Sequence, residues 1–499
     1  MILDITPGDR RTAGSAGRVR PAAAAILLVV LLATGGCATY SARMADLRPA
    51  LAAGDFEGAL RTIDENAGGS DQLLAWLERG LVLHYADRFA ESNEAFAAAE
   101  RTAAERFDRS LGENAVALLT SDAKVAYRPR PFEMALVPYY KALNYTWLGR
   151  PDAAVVEARS ASQMLAQYVD LTLGAVREED RGELERVRND AFLLWFSGML
   201  YEADGELNDA FVAYRNAAVA FAQNADLLRL EPPFELAGDL ARTADRLGFT
   251  EELRQAAQAS PAVFAATGDT SADLAALRRA SVWTPGHGEL VLLVETGAVP
   301  QLGQVRLDFP VFKGEDHSDR ERWGWSLYDG HRRRSWGRNR EVEYWISVAA
   351  PELHDEVPLP FGGIRASAGT AGGNAVGARA ANLRRAARVS FDAEKPTILV
   401  RSILRGLTKY LATRAADKAG GKGLGVLANL LGAVTEQADT RSWLTLPGQV
   451  HVLRLHLPPG THDVRLELLG ADGRVAAAQA LPGVVVKPGQ WTFESRRVF

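Results

Sequence analysis

One spacing occurs three times in the first half of this chain and restricts what it can fold into. Gly80, Ala142 and Gly198 are each followed three residues later by a large side chain: Leu83, Tyr145 and Tyr201. Twelve residues on stand Ser92, Ala154 and Ala210; sixteen on, Phe96, Ala158 and Tyr214; nineteen on, Ala99, Ala161 and Ala217. Small residues at fixed intervals on two helices let the backbones approach, and large side chains fill the space beside them. The stretches "ADRF" (86–89), "LGRP" (148–151) and "ADGEL" (203–207) carry residues that favour tight turns. The pattern predicts antiparallel helix pairs in an Ala- and Leu-rich region from Ala42 to about Ala280.

These intervals resemble the tetratricopeptide repeat, whose tryptophan has a counterpart in Trp76 and, one residue out of phase, in Trp195. "AGDFEGAL" (53–60) reads as a partial further unit, its turn about 33 residues before Asp87, close to the repeat period of about 34. The later anchors lie 62 and 56 residues apart, so other helices must interrupt the array. "GAVREEDRGELERVRNDAF" (174–192), charged and solvated, is read as one of them. A plain helical bundle is the competing reading. A repeat stack would give a curved surface of the kind that binds peptides or other proteins.

Near Ser281 the composition turns to strand signals. "SVWTPGHG" (281–288) is a Pro/Gly linker, and Glu289–Glu295 encloses a continuous apolar run suited to a buried strand. "LRLHL" (453–457) and "VRLEL" (464–468) alternate strictly, one face in and one out, and "PPG" between them predicts a hairpin; "VVVKPGQWTF" (484–493) repeats the plan. From Pro396 to about Thr440 a helical insertion is expected. Ile398, Leu399, Ile403, Leu404, Leu407, Tyr410 and Leu411 form its apolar face, and Arg401, Arg405, Lys409, Arg414 and Lys418 lie largely off it. Such a helix packs on a sheet or lies on an anionic membrane surface, and the apolar Gly420–Leu430 would complete a helical hairpin. "FGGIRASAGTAGGNAVG" (361–377) reads as a flexible loop with little to build a core. The fold class expected is α+β and multidomain. A TPR-like α-solenoid over 37–280 precedes a β-sandwich-like domain over 281–499, with the helical hairpin inserted at about 396–440.

The start of the chain bears on compartment. Arg10, Arg11, Arg18 and Arg20 precede the apolar Ala22–Ala33, then Thr34, Gly35, Gly36 and Cys37, the one cysteine of 499 residues. This is the order of a secretory signal, and about a dozen apolar residues rise only ~18 Å as a helix, too short to span a membrane. The position of Cys37 resembles a bacterial lipobox, implying that residues 1–36 are a signal peptide and that Cys37 carries acyl chains as a lipid anchor. Ala38 lacks an acidic inner-membrane retention signal, so the resemblance implies the outer membrane, facing the periplasm. A structural cysteine behind an ordinary signal peptide is the alternative.

Between the first two full units, "LLTSDAKVAYRPRPFEMALVPYYKALNY" (118–145) has prolines flanking Arg130, which makes 127–131 extended before a helix resumes at Phe132. This tract, "GELVLLVETGAVP" (288–300) and "ADTRSWLTLPGQVHVLRLHLPPGTHDV" (438–464) together resemble a family of Gram-negative outer-membrane lipoproteins with tetratricopeptide-like repeats and a C-terminal β-rich domain. The likeness covers most of residues 70–470. That family carries no established activity and often accompanies lipoproteins that activate peptidoglycan synthases. The expected role is a non-enzymatic scaffold whose repeats hold a periplasmic or envelope protein. Candidate contacts are Tyr127, Arg128, Phe132, Glu133, Tyr139, Tyr140 and Asn144, although Tyr140 and Asn144, four apart on one helix face, also suit a core.

A second binding reading rests on "DRERWGWSLYDGHRRRSWGRNREVEYW" (319–345). Trp323, Trp325 and Trp336 beside Arg333 and Arg338 suit peptidoglycan strands or lipopolysaccharide, or they pack across strands as cation–π pairs. Motifs for chemistry are few. Ser326 lacks the trailing glycine of a nucleophile elbow, "GKGLG" (421–425) lacks the order of a phosphate loop, and His451 and His456 face opposite sides of one strand. No cofactor or metal motif is legible, and a formal charge of −5 over this length gives no reason to expect nucleic acid.

Overall fold

The computed structural model describes residues 39–66, 68–117, 126–265, 284–312, 342–354, 361–369, 373–418 and 437–499. It is a mixed α+β chain, helical in its first half, with sheets in its second. The helices there are α1 (Tyr40–Arg43), α2 (Leu47–Ala52), α3 (Phe56–Asn66), α4 (Gln72–Tyr85), α5 (Phe89–Ala117), α6 (Pro131–Trp147) and α7 (Pro151–Ala175). They continue as α8 (Gly182–Arg186), α9 (Ala191–Asp204), α10 (Leu207–Leu228), α11 (Phe234–Leu247), α12 (Thr250–Ala259) and α13 (Pro261–Ala265).

Consecutive helices pack as pairs: α2 with α3, α4 with α5, α6 with α7, α9 with α10 and α11 with α12. Each pair turns on one residue of left-handed backbone, at Gly54, Asp87, Gly149, Gly205 and Gly248, with φ of 73°, 59°, 69°, 86° and 74°. The spacing read from the sequence has a direct physical expression. A Cβ added to Gly80 would lie 2.6 Å from the Phe96 ring, and one added to Gly198 would lie 2.4 Å from the Tyr214 ring. Each aromatic therefore fills the volume that its partner glycine leaves. The charged stretch 174–192 differs from expectation. It forms one short 3-10 turn and the short α8, with Leu184 buried, because Asp190 caps the start of α9 through Leu193 N–H and ends any longer helix.

The second half holds β1 (Gly288–Thr296), β2 (Leu302–Phe312), β3 (Val342–Leu353), β4 (Gly363–Ala368), β5 (Gly373–Val376), β6 (Ala378–Asn382), helix α14 (Leu383–Lys418), β7 (Gln449–Leu457), β8 (Gly460–Leu469), β9 (Val475–Val486) and β10 (Trp491–Val498). One sheet has the order β10-β1-β7-β6, a second β5-β4-β8-β9, and β2 pairs with β3. β1 runs parallel to β10 and antiparallel to β7, aligning Val291 with Phe493 and Arg454, and Leu293 with Val452.

Three layers result. Leu290, Leu292 and Val294 of β1 join Leu453, Leu455 and Leu457 of β7 against Ile364, Val464, Leu466 and Leu481 of the second sheet. The alternate residues Val291, Leu293, Val450, Val452 and Phe493 join the core of the helical half. The sheet containing β1 is thus buried on both faces, which is why its central strand reads as an unbroken apolar run.

The structure corrects three expectations. The stretches at 453–457 and 464–468 do not form a hairpin: β7 and β8 lie in different sheets, and "PPG" carries the chain across the layer between them. The turn between β9 and β10 does the same. Nor does β7 expose one face, since Arg454 is turned into the interior. Residues 361–377 hold the strands β4 and β5, with a gap at 370–372 outside the described residues. Their small side chains let the layers close, for a Cβ on Gly373 would lie 2.6 Å from the Leu457 side chain.

The inserted helix begins at Leu383, thirteen residues before Pro396, because Asn382 accepts a hydrogen bond from Arg385 N–H and caps it; Pro396 lies inside the helix. Ile403, Leu407 and Tyr410 pack on Ile346 and Val348 of β3, and Gly406 lets Ile346 approach. The expected second arm, at 420–430, lies outside the described residues.

Candidate functional site at the helix–sheet junction

Three buried polar clusters lie where helices meet the sheet containing β1. The first surrounds residues 441–448, an irregular segment that is buried throughout. Buried backbone without secondary structure must find partners for its N–H and C=O groups. Glu78 of α4 supplies two of them, accepting from Leu444 N–H at 2.6 Å and Thr445 N–H at 3.1 Å, and it also accepts from the Thr445 hydroxyl at 2.5 Å. Burial pushes its carboxyl up to about 7, against the downward pull of those hydrogen bonds. Arg48 donates to Leu444 C=O and Val299 C=O, and Arg441 pairs with Asp71 at 3.1 Å and with Asp439 at 2.6 Å.

Glu133 completes this cluster. Its Oε1 accepts from Trp443 N–H at 2.9 Å, and its Oε2 accepts from the Tyr127 hydroxyl at 2.5 Å and Arg130 N–H at 2.7 Å. The Arg130 contact closes the first turn of α6. One carboxylate therefore starts a helix and holds a residue 310 positions away.

The second cluster centres on Glu295 at the end of β1, fully buried. It accepts from the Tyr85 hydroxyl at 2.5 Å and the Tyr139 hydroxyl at 3.2 Å. Burial raises its carboxyl above the usual range, while Tyr85 and the nearby Arg497 act to lower it. The Arg497 guanidinium lies over the Tyr85 ring.

The third cluster links α11 to β7 and β1. Arg454 Nη1 donates to both Asp239 oxygens at 2.7 Å, Nε donates to Glu289 at 2.7 Å, and the guanidinium lies 4.7 Å from the Trp491 ring centre. Asp239 also accepts from Trp195 Nε1 and Arg242, which in turn grips Glu202 through two hydrogen bonds of 2.8 Å. Burial by itself would raise the Asp239 carboxyl, but Arg454 and Arg242 outweigh it and hold it below the ordinary range.

The sequence candidates fall out as follows. Tyr127, Phe132, Glu133, Tyr139, Tyr140 and Asn144 are all buried. Tyr127, Glu133 and Tyr139 belong to the clusters above; Phe132 and Tyr140 are core. Asn144 bonds His84, Ser92 and Asn93 in the helical interior. Their assignment as surface contacts is therefore corrected, since this chain's own atoms surround them; only Arg128 is exposed. Cys37, Trp323, Trp325, Arg333, Trp336 and Arg338 lie outside the described residues. Sequence reasoning missed Glu78, Asp239, Arg454 and Glu295. A usable signal existed: Glu289 and Glu295 end a strand that is otherwise apolar, and Arg454 interrupts another. Charges on strands buried on both faces require partners.

Among the described residues, no group of three or more His, Cys, Asp or Glu side chains is placed to hold a metal ion. No helix among them is long and apolar enough to cross a membrane. Comparison with known protein families and with curated proteins finds no match for this chain.

Proposed function

We propose that this chain is a non-enzymatic, lipid-anchored scaffold of the bacterial envelope, its TPR-like helical domain locked to a β-sandwich-like domain as one body. The observation that carries this reading is the commitment of the buried carboxylates. Glu78, Glu133 and Glu295 accept hydrogen bonds from the opposite half, and Asp239 pairs with Arg454 from it. Carboxylates engaged this way hold two halves in register rather than exchange protons with a substrate. In this reading residues 1–36 are removed, Cys37 carries the acyl chains, and the protein faces the periplasm from the outer membrane. A protein partner docks on the outside of the helix pairs, with Arg128 at the rim of the contact. Peptidoglycan synthesis is the pathway the family resemblance suggests.

Metabolic labelling with an alkyne fatty acid tests the anchor: label in the wild type, and none in Cys37→Ala. Crosslinking in living cells tests the scaffold. The expected result is one dominant protein partner, reduced by Arg128→Glu and lost from the membrane fraction with Cys37→Ala. An unlabelled wild type, or copurification of glycan alone, would overturn the reading.

A further inference from the structure

Thr39, two residues after Cys37, is already built into the folded body. Its hydroxyl accepts from Ala42 N–H and caps α1, and Tyr40, Met44, Leu47 and Leu51, which follow, are all buried. The polar residues between them are tied to segments distant in sequence. The Ser41 hydroxyl lies 3.4 Å from Leu302 C=O and 3.5 Å from the Thr440 hydroxyl, and Arg43 pairs with Asp71, which also holds Arg441. Arg48 donates to Leu444 C=O at 2.6 Å and to Val299 C=O at 2.7 Å. Residues 39–51 therefore belong to the helix–sheet junction itself.

That closeness sets a distance. Two residues reach at most ~7 Å whatever path they take, whereas the headgroup layer on each side of a bilayer is about 5–8 Å thick. An acylated Cys37 sits at the level of the headgroups, so Thr39 and the surface beside it lie within that layer or against its outer edge. The exposed residues there suit this position. Ala42 and Arg43 lie beside Thr39, and Gln304 and Glu352 lie beside Leu302, with Glu352 opposite Gly303 in the β2–β3 pairing. Polar side chains of both charge signs suit headgroups rather than acyl chains. Resting on the reading of Cys37 as the anchor, we propose that the face formed by residues 39–43, 302–304 and 352 is held flush against phospholipid headgroups. The protein then stands on the membrane in one orientation instead of swinging on a tether.

The test uses the full acylated chain in vesicles of phosphatidylethanolamine and phosphatidylglycerol, with and without phosphatidylcholine spin-labelled at its headgroup. Acylated Cys37 offers no free thiol, so Glu352→Cys supplies the single one for a fluorophore. This position is far from Cys37 in sequence, and only the folded contact brings it to the lipid. Its fluorescence should fall severalfold when the spin label is present. It should recover when a Gly/Ser stretch is inserted between Ala38 and Thr39, since about 20 such residues add ~25 Å of reach and leave the α1 cap in place. Unquenched fluorescence with the native tether, in protein that takes up the fatty-acid label, would overturn the flush orientation and leave the anchor standing. Quenching that survives the insertion would overturn it as well, because the short tether would then not be what holds the face in place. A wild type without fatty-acid label would instead overturn the anchor, and this inference with it.

Discussion

The helix pair α4–α5 and the buried segment 441–445 touch the same helix yet are held by different physics. On one side of α4, Gly80 admits the Phe96 ring, a contact of apolar shape against shape. Two residues earlier, Glu78 accepts hydrogen bonds from Leu444 and Thr445. Apolar packing is graded, so a changed volume is shared among neighbours. The polar junction is stoichiometric, because every buried donor needs its own acceptor and removing one leaves the others stranded. The pairs should therefore yield gradually to substitution, and the junction abruptly.

The hardest test of that contrast is Arg454→Met, which leaves Asp239 and Glu289 buried without their shared cation. We expect a loss of about 3–5 kcal/mol in denaturant unfolding, most of it regained when Asp239→Asn and Glu289→Gln are added. A loss under ~1 kcal/mol would erase the distinction between the two regions.

A pH test comes next, using two groups six residues apart on α4. The Glu78 carboxyl is raised from its ordinary 4.5 to about 7, so its contribution is complete below pH 4.5 and is lost as pH rises to about 7, roughly 3 kcal/mol in all. Burial lowers His84 from 6.5 to about 4, against a hydrogen bond with Asn144 that favours the charged form. Its contribution is complete above pH 6.5 and is lost as pH falls to about 4. The slopes oppose each other in the wild type. Glu78→Gln should uncover the second, giving stability that climbs from pH 4 to 6.5 in denaturation curves; a flat profile would contradict the assignment.

Gly80→Ala probes the apolar side, with an expected cost of about 1–3 kcal/mol that Gly80→Ala combined with Phe96→Leu recovers in part. The smallest effect is at the turns. Asp87 holds φ of 59° where the other turns have glycine, so Asp87→Gly should raise stability by about 0.5 kcal/mol, read as a small upward shift in Tm.

Much of the helical half was legible because its signal is local. Gly80 and Phe96, or Gly198 and Tyr214, lie sixteen residues apart, and a helix–turn–helix brings such pairs together unaided. The strand β1 was legible too, since a strand covered on both faces must be apolar throughout. Strand partners were not. The tight turns after β7 and β9 suggest hairpins by length alone, yet both chains cross between sheets because β7 and β10 each flank β1.

Residue chemistry by itself determined the helix pairs, their turns and the central buried strand, all set by spacing within a few dozen residues. Only the tertiary structure decided that Tyr127 and residues 131–144 are buried, or that Glu78 and Glu133 meet residues 441–445. Those contacts join positions more than 300 residues apart, and the position of a lone buried carboxylate carries no periodicity from which its distant partner could be read.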